Sequence, residues 1–321
     1  MIAYACQYAN GGLKFLNVIA CQDLFKNYYE LEPSQLTSYL AIIWLPWGVK
    51  FLYGVMADSI PIFGSRKKSW LVLMGFVQVI SLILSATIHF TNVQWFVFLQ
   101  IVTSIAGAFM DVIVDALMVM QAKRDPEQGS QDLQSFAWMI LGIAAISGGL
   151  VGAFMTGYVN PYWCFGYYAI FGVFVIISSW CLNPFLEFES DFDLAMSMTV
   201  NGVHVGRKRT FCEELKHNYH IVKHEFKMKL FQRTMLFYIL VGVTHCRYDD
   251  FMYYYKLNVL GFTQFQYACL LTGGSVAMTL GVILYQRFMT EWETRTVVRM
   301  TIMLMALNAL SGLALTLRWN I

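Results

Sequence analysis

Charged side chains occur inside long apolar runs of this sequence, where they are costly to bury and therefore mark candidate functional sites. Asp111 and Asp115 are four residues apart, so a helix places both carboxylates on one face. Asp111 could take part in proton or substrate coupling, whereas Asp115 could pair with basic residues and gate an inner face. Lys50 lies in another apolar run, where it could bind a substrate carboxylate or neutralise a carboxylate on a neighbouring helix.

The densest polar set inside an apolar run lies near the start of the last third of the chain. Arg247 could hold a carboxylate through two parallel hydrogen bonds, while Asp249 and Asp250 could bind an amino-pyrimidine edge or a proton. Tyr253 and Tyr254 follow and could offer their faces to a planar ring. The structural alternative is that Arg247 pairs with the two carboxylates only to hold its helix in a bundle.

These charges do not form an enzyme active site. The sequence has neither a phosphate-binding glycine loop with its lysine nor a nucleophile elbow. His217, His220 and His224 share a helix face, where a zinc site is conceivable but a solvated polar face is the better interpretation. We therefore expect no enzyme, no cofactor and no metal. The basic residues cluster beside apolar runs and not along a nucleic-acid groove, so we expect no nucleic-acid partner.

The elements that position these residues are membrane helices. The chain has 321 residues, of which 58% are hydrophobic and 13% charged, against about 25% charged in soluble domains. Apolar runs of about 20 residues recur, each long enough to span a bilayer. The sequence predicts an all-α polytopic integral membrane protein whose partner is the lipid bilayer. We predict about nine spans, at roughly 2–23, 36–57, 70–90, 93–120, 134–157, 162–183, 231–257, 264–285 and 299–318.

Lysine and arginine concentrate in alternate connections, which places those connections on the cytoplasmic side. The amino terminus then lies inside as well. The longest polar segment, 184–230, contains an amphipathic helical pattern and separates two bundles. We predict an N-terminal six-helix bundle at 1–183, this cytoplasmic loop, and a partial C-terminal bundle of three helices at 231–321.

One loop carries the most specific pattern. Gly54-x-x-x-Asp58 ends an apolar run, a turn follows at 61–64, and the basic triplet Arg66-Lys67-Lys68 precedes the next run. This loop resembles the one between the second and third helices of major facilitator superfamily transporters. The insertion at 61–64 is similar to that of the folate–biopterin transporter family. A simpler interpretation is that the loop only sets the orientation of the helices.

Other segments carry the same family resemblance. Pro46-Trp47 with Lys50 resembles the family's Pro-Trp-x-x-Lys, although Phe51 stands where the family usually has proline. The resemblance implies a secondary transporter that moves small folate- or pterin-like substrates by alternating access. Proton movement through membrane carboxylates could drive it. The implied gating residues are Asp58, Arg66, Lys67, Lys68 and Asp115. The implied substrate-binding or coupling residues are Lys50, Asp111, Arg247, Asp249 and Asp250.

An internal repeat supports the major facilitator plan of two related halves. The segment 31–35 has a counterpart at 260–264, at an offset of 229 residues, and Ser34 is the expected N-cap of the second span. Gly54-x-x-x-Asp58 has a weaker counterpart at 281–285. The second half has only three predicted spans, so we expect a fragment, a truncated product or an unusually short relative. The alternative function is a structural or accessory membrane subunit that kept the fold and lost transport.

Overall fold

A computed structural model describes most of the chain. The residues described are 2–60, 62–63, 65, 67–122, 129–182, 216, 219–220, 223–224, 226–244 and 249–317. For Asp249 only the backbone is described. Arg66, Arg247 and most of the predicted loop 184–230 lie outside these ranges, so the three-part division of the chain stays a prediction.

The described residues form α-helices, several of them extended by a widened turn. In chain order these are α1 (Ile2–Asp23), α2 (Pro33–Gly48), α3 (Lys50–Ser59), α4 (Lys68–Thr87), α5 (Val93–Ala122), α6 (Gly129–Phe154), α7 (Tyr162–Trp180), α8 (Lys229–Thr244), α9 (Asp249–Tyr254), α10 (Gln264–Leu284) and α11 (Thr294–Thr316). Widened π-helical turns extend α1, α6, α9 and α10, at Leu24–Tyr28, Met155–Val159, Tyr255–Val259 and Tyr285–Met289.

Seven helical segments are long and apolar enough to cross a membrane. They coincide with seven of the nine predicted spans and confirm an all-α, multi-pass membrane protein. The first predicted span forms as α1, but its polar residues keep it below that apolar threshold. The seventh corresponds to α8 and α9, which are separated by residues outside the described ranges.

The second predicted span contains a break that positions Lys50. Pro46 lacks the backbone N–H that would bond one turn back, so it weakens the helix around it. α2 ends at Gly48, Val49 leaves helical geometry, and α3 begins at Lys50. This break places the lysine at a helix start inside a membrane span.

Glycines of α6 let two other helices approach closely. A Cβ atom on Gly149 would lie 2.3 Å from Thr272 Oγ1, and one on Gly142 would lie 2.2 Å from Thr279 Oγ1, both on α10. On another face, Gly148 packs against Leu13 of α1. The glycine density of this span therefore produces tight helix packing, as the sequence predicts. It places α6 between the first half of the chain and α10 of the second half.

The internal repeat is present at an offset of 231 residues, not 229. The turns Leu24–Tyr28 and Tyr255–Val259 are both π-helical. Each is followed by a residue with a positive φ angle, Glu30 at 51° and Gly261 at 72°. α2 and α10 then begin at Pro33 and Gln264. Sequence matching favoured a similar string of letters two residues away, whereas the backbone geometry fixes the true correspondence.

The same offset corrects the predicted helix cap. Glu32, not Ser34, is the N-cap of α2, because Pro33 already occupies the first helical position. Glu32 forms a capping box with Gln35, and Thr263 forms the equivalent box with Gln266 at the start of α10. Both halves therefore start their second span with the same device.

The outer helices of the second half expose apolar side chains. The most apolar continuous stretch of 18 residues in α11 contains no buried residue. Leu307 and Leu310 are more than half exposed. Such surfaces suit contact with lipid tails or with further helices.

Candidate functional site

A polar cavity lies within the first half of the chain, among α1, α2, α5 and α7. Its volume is about 30 Å³, which is room for about two water molecules. The wall combines amides, hydroxyls, indole rings and two charged groups. Its lining includes Lys14, Asn17, Trp44, Trp47, Ser104 and Asp111.

At the edge of this cavity, Lys50 of α3 forms an ion pair with Asp111 of α5. The two side chains are 32% and 18% exposed. Of the two roles that the sequence allows for Lys50, neutralising a carboxylate on another helix is the one seen here. The Lys50 ammonium also lies 4.6 Å from the centre of the Trp47 ring.

A second lysine, Lys14 of α1, lies between two indole rings. Its Nζ atom is 3.6 Å from the ring centre of Trp44 and 3.3 Å from that of Trp47, both on α2. These are cation–π contacts, in which the negative face of each ring attracts the ammonium. We call Lys14, Trp44 and Trp47 the tryptophan cage.

Several buried polar atoms of the cavity wall have no hydrogen-bond partner among the described residues. They are Oδ1 of Asn17, Oγ of Ser104 and Nε1 of Trp47. Asn17 and Ser104 are 8% and 7% exposed. An unpaired buried polar group is unfavourable, so such atoms commonly bind a water molecule, an ion or a ligand.

Amide pairs crosslink the helices behind the cavity. Asn10 Nδ2 donates a 3.0 Å hydrogen bond to Gln78 Oε1 of α4. Asn17 Nδ2 donates one of the same length to Gln100 Oε1 of α5. These side-chain amides of α1 therefore donate to neighbouring helices, although Asn17 Oδ1 has no partner among the described residues, and the bonds help to explain why α1 is buried although it is not strongly apolar.

Asp115, a predicted gating residue, bonds to α1. Tyr8 donates a hydrogen bond of 2.7 Å to Asp115 Oδ1. Asp111 and Asp115 share α5, but one binds Lys50 and the other binds Tyr8. The single helix face that the sequence predicts is thus divided between two partner helices.

Two residues of the basic triplet, Lys67 and Lys68, contact residues near the ends of α5 and α7. Lys67 Nζ donates to Met120 Sδ, and Lys68 Nζ donates to the carbonyl oxygen of Leu182. Ile62 and Ser65 close a tight turn through two backbone bonds of 3.0 Å. A joint ion-pair network of Asp58, Asp115 and the triplet stays a prediction, because Arg66 lies outside the described residues.

The opposite end of α1 contacts α9, and tyrosines make the contact. Tyr254 donates a hydrogen bond to the carbonyl oxygen of Leu31. The Tyr253 hydroxyl lies 3.2 Å from the carbonyl oxygen of Gln22, and Tyr267 donates to Gln22 Oε1 at 3.3 Å. We call this set the tyrosine contact. It joins the two halves of the chain.

This packing covers the rings that the sequence suggests for stacking a substrate. Tyr253 is fully buried and Tyr254 is 8% exposed. The Tyr253 ring packs against Tyr254 and Tyr267, with ring centres 5.5 and 4.7 Å apart. In this conformation the two faces therefore serve contact between helices.

Of the three charged candidates near α9, only the side chain of Asp250 is described. Gln22 Nε2 lies 3.4 Å from Asp250 Oδ1, which adds a long hydrogen bond to the tyrosine contact. Arg247 lies outside the described residues, as does the side chain of Asp249. The role of these three residues stays a prediction.

The structure adds residues that the sequence analysis did not single out as a site. Lys14, Trp44, Asn17 and Ser104 belong to the cavity, and only the lysine stands out in the sequence as a charge inside an apolar run. That charge was the available signal. Its tryptophan partners are too distant in sequence to be inferred from spacing.

A cleft of about 300 Å³ lies between α6 and the end of α10, and is lined by residues such as Trp138, Met278 and Tyr285. Its lining carries no charged residue among those described. Within the described residues no group of three or more potential metal ligands occurs, and His217 of the histidine face lies outside them.

Comparison with known proteins gives a consistent result. A model of the BT1 family matches residues 11–321. The folate-biopterin transporter of Synechocystis sp. is 26% identical over 320 residues, which cover 100% of this chain and 60% of that protein. The putative folate transporter 2 of Plasmodium berghei is 27% identical over 320 residues, covering 96% and 63% respectively. The chain therefore spans less than two thirds of the length of these relatives. No solved structure matches the chain.

Proposed function

Since the chain belongs to the BT1 family, we propose that it moves folate- or pterin-like organic anions across a membrane. The family match confirms the resemblance seen in the sequence and places the chain among transporters, not enzymes. The proposed substrates follow from the names of the relatives, two of which are a folate-biopterin transporter and a putative folate transporter.

The polar cavity is the observation that carries this proposal. It holds two lysines at or beside its wall, within the helices of a membrane bundle. Ionisable groups inside membrane segments commonly bind ligands, ions or protons. A folate carries carboxylates, which lysines attract. The ammonium of Lys50, now paired with Asp111, could instead bind a carboxylate of the substrate.

The contacts between the halves support alternating access as the mechanism. At one end of α1 the tyrosine contact closes the space between the halves. α8, the preceding part of the same predicted span, has no buried residue among those described. With the topology predicted from the basic residues, this arrangement fits a state closed to the outside. Asp58, Asp115 and the basic triplet would then form the inner gate.

Uptake by the chain itself tests the proposal. The 321-residue protein is reconstituted into liposomes, and entry of labelled folate and labelled biopterin is compared with that into empty liposomes. We expect uptake above the empty control. Absence of uptake, with protein present in the membrane, would instead favour an accessory membrane subunit.

Variants of the predicted coupling residues extend the test. We expect Arg247→Ala and Asp250→Asn to abolish uptake without lowering the amount of protein in the membrane. Trp95→Leu is the control, because Trp95 is 62% exposed and remote from the cavity lining. Transport at the parent rate by both variants would remove α9 from the site and leave Lys50 with Asp111.

A further inference from the structure

The tryptophan cage binds a charge of its own chain. The ring centres of Trp44 and Trp47 are 6.2 Å apart, and the planes are inclined by 53°. The Lys14 ammonium lies within 3.6 Å of both centres. A flat aromatic ring can stack on the face of one indole while the second indole, inclined to the first, contacts its edge. The lysine therefore occupies a place that a ligand could use.

The unpaired atoms beside the cage indicate the chemistry of that ligand. Asn17 Oδ1 accepts hydrogen bonds, Trp47 Nε1 donates them, and Ser104 Oγ can do either. A carboxylate alone only accepts hydrogen bonds, so it would leave Asn17 Oδ1 unpaired. A flat heteroaromatic ring with donors and acceptors along its edge would satisfy Asn17 Oδ1 and Ser104 Oγ, whereas Trp47 Nε1–H lies in the plane of its own ring and points away from a ring packed on that face.

We propose that the Lys14 ammonium holds the place of a flat, hydrogen-bonding heteroaromatic ring packed against Trp44 and Trp47, and that such a ring binds by displacing it. This inference rests on the proposed function for its choice of ligand, which is the pterin ring. The cavity of about 30 Å³ is too small for a ring while the lysine is inside. Asp111 lines the same cavity, so the displaced ammonium has a carboxylate to approach.

Removal of the competing cation gives the clearest test. Lys14→Met keeps the length of the side chain but loses the charge. A desolvated cation–π contact is worth more than a factor of ten in an equilibrium, so we expect purified Lys14→Met protein to bind biopterin about tenfold more tightly than the parent. Biopterin is the probe because it has no carboxylate for Lys14 to attract. Lys14→Ala serves as a second variant if the first does not yield monodisperse protein.

Loss of either ring should have the opposite effect. We expect Trp44→Leu and Trp47→Leu to weaken biopterin binding at least about tenfold, since each removes one of the two indole rings that would contact the ligand. Trp95→Leu is the matched control and should bind like the parent, because that indole is outside the cavity. Unchanged or weaker binding by Lys14→Met would overturn the inference.

The same proteins separate this inference from the proposed function. If the parent binds neither biopterin nor folate, the proposed function fails, and adenine, lumazine and riboflavin become the probes. Binding of one of these by Lys14→Met, lost in Lys14→Met/Trp44→Leu, would support a ring site of different specificity. Absence of any gain over the parent with all five compounds would overturn the ring site itself.

Discussion

Lys50 and Asp111 join α3 to α5 through an ion pair at the point where the second span is broken. The pair is only partly exposed, so each charge gains stabilisation from the other. Pro46 lies three residues before the break at Val49, and the break lets a lysine begin a helix within the span. The helix break therefore determines where the Lys50 ammonium lies relative to Asp111.

Removal of one partner should destabilise the protein more than removal of both. Loss of one partner from a fully buried pair costs about 3–5 kcal/mol. Because 32% and 18% of these side chains remain exposed, we expect about 1–3 kcal/mol for Lys50→Met. The melting temperature in detergent measures the effect, and Lys50→Met/Asp111→Leu should recover most of it. Equal melting temperatures of Lys50→Met and the parent would contradict a stabilising pair.

Weakening of the tyrosine contact should open the outer end. Tyr254→Phe removes a hydrogen bond to Leu31, and one such bond contributes about 1 kcal/mol net. We therefore expect the closed state to lose about fivefold in population. Cys21, which lines the cavity at 2% exposure, is a natural reporter for an impermeant thiol reagent once the other cysteines are replaced. Tyr238→Phe, at a 68% exposed site, should leave the labelling rate unchanged.

A side chain added to the α6–α10 contact should separate these helices. In Gly149→Ala the new Cβ atom would lie 2.3 Å from Thr272 Oγ1, and overpacking of this kind costs about 1–3 kcal/mol. The double variant Gly149→Ala/Thr272→Ala should recover much of the loss in melting temperature. Gly273→Ala is the matched control, since a Cβ atom there meets nothing within 4 Å. A similar loss in the control would mean that helix flexibility, not the contact, is responsible.

The repeat provides a paired test of backbone strain. Glu30 has a φ angle of 51°, a left-handed conformation that costs a residue with a side chain about 1–2 kcal/mol. Part of this cost is offset because glycine loses more entropy on folding, so Glu30→Gly should stabilise the protein by about 0.5–1 kcal/mol. Gly261→Ala, at the equivalent position with φ of 72°, should destabilise it by a similar amount. Thermal denaturation measures both, and equal signs would be inconsistent with this explanation.

The predicted orientation is tested by labelling from outside. Lysine and arginine place the loops near 57–68, 121–133, 184–230 and 286–298 on the cytoplasmic side. Single cysteines introduced into these loops should resist an impermeant reagent in sealed cells and react after permeabilisation. Ready labelling of a cysteine at position 205 in sealed cells would reverse the orientation.

Seven of the nine predicted spans could be located from the sequence because each span must cover the same thickness of lipid. Lys50 and Asp111 could be singled out for the same reason, since a charge is conspicuous in an apolar run. The sequence allows neutralisation of a carboxylate as one of two roles for Lys50, but it does not identify Asp111 as that carboxylate. The tryptophan cage could not be predicted, because Lys14 and Trp47 are brought together only by how α1 and α2 pack.

The errors share a physical cause, which is the similarity of short polar segments. Ser34 and Glu32 are both suitable N-caps by residue type, and the fixed φ angle of Pro33 decides between them. The repeat offset predicted from residue types is two residues too small, because the two halves share the conformation of a backbone turn and not the residue types beside it. Such choices depend on dihedral angles, which residue types constrain only loosely.

The amide pairs of α1 also have a consequence for biosynthesis. Asn10 and Asn17 find their partners in Gln78 and Gln100, which the ribosome adds more than sixty residues later. Until then α1 would face lipid with unpaired amides, which the bilayer disfavours. We therefore expect α1 to become stable in the membrane only after α5 has been synthesised, so that α1 inserts together with α4 and α5.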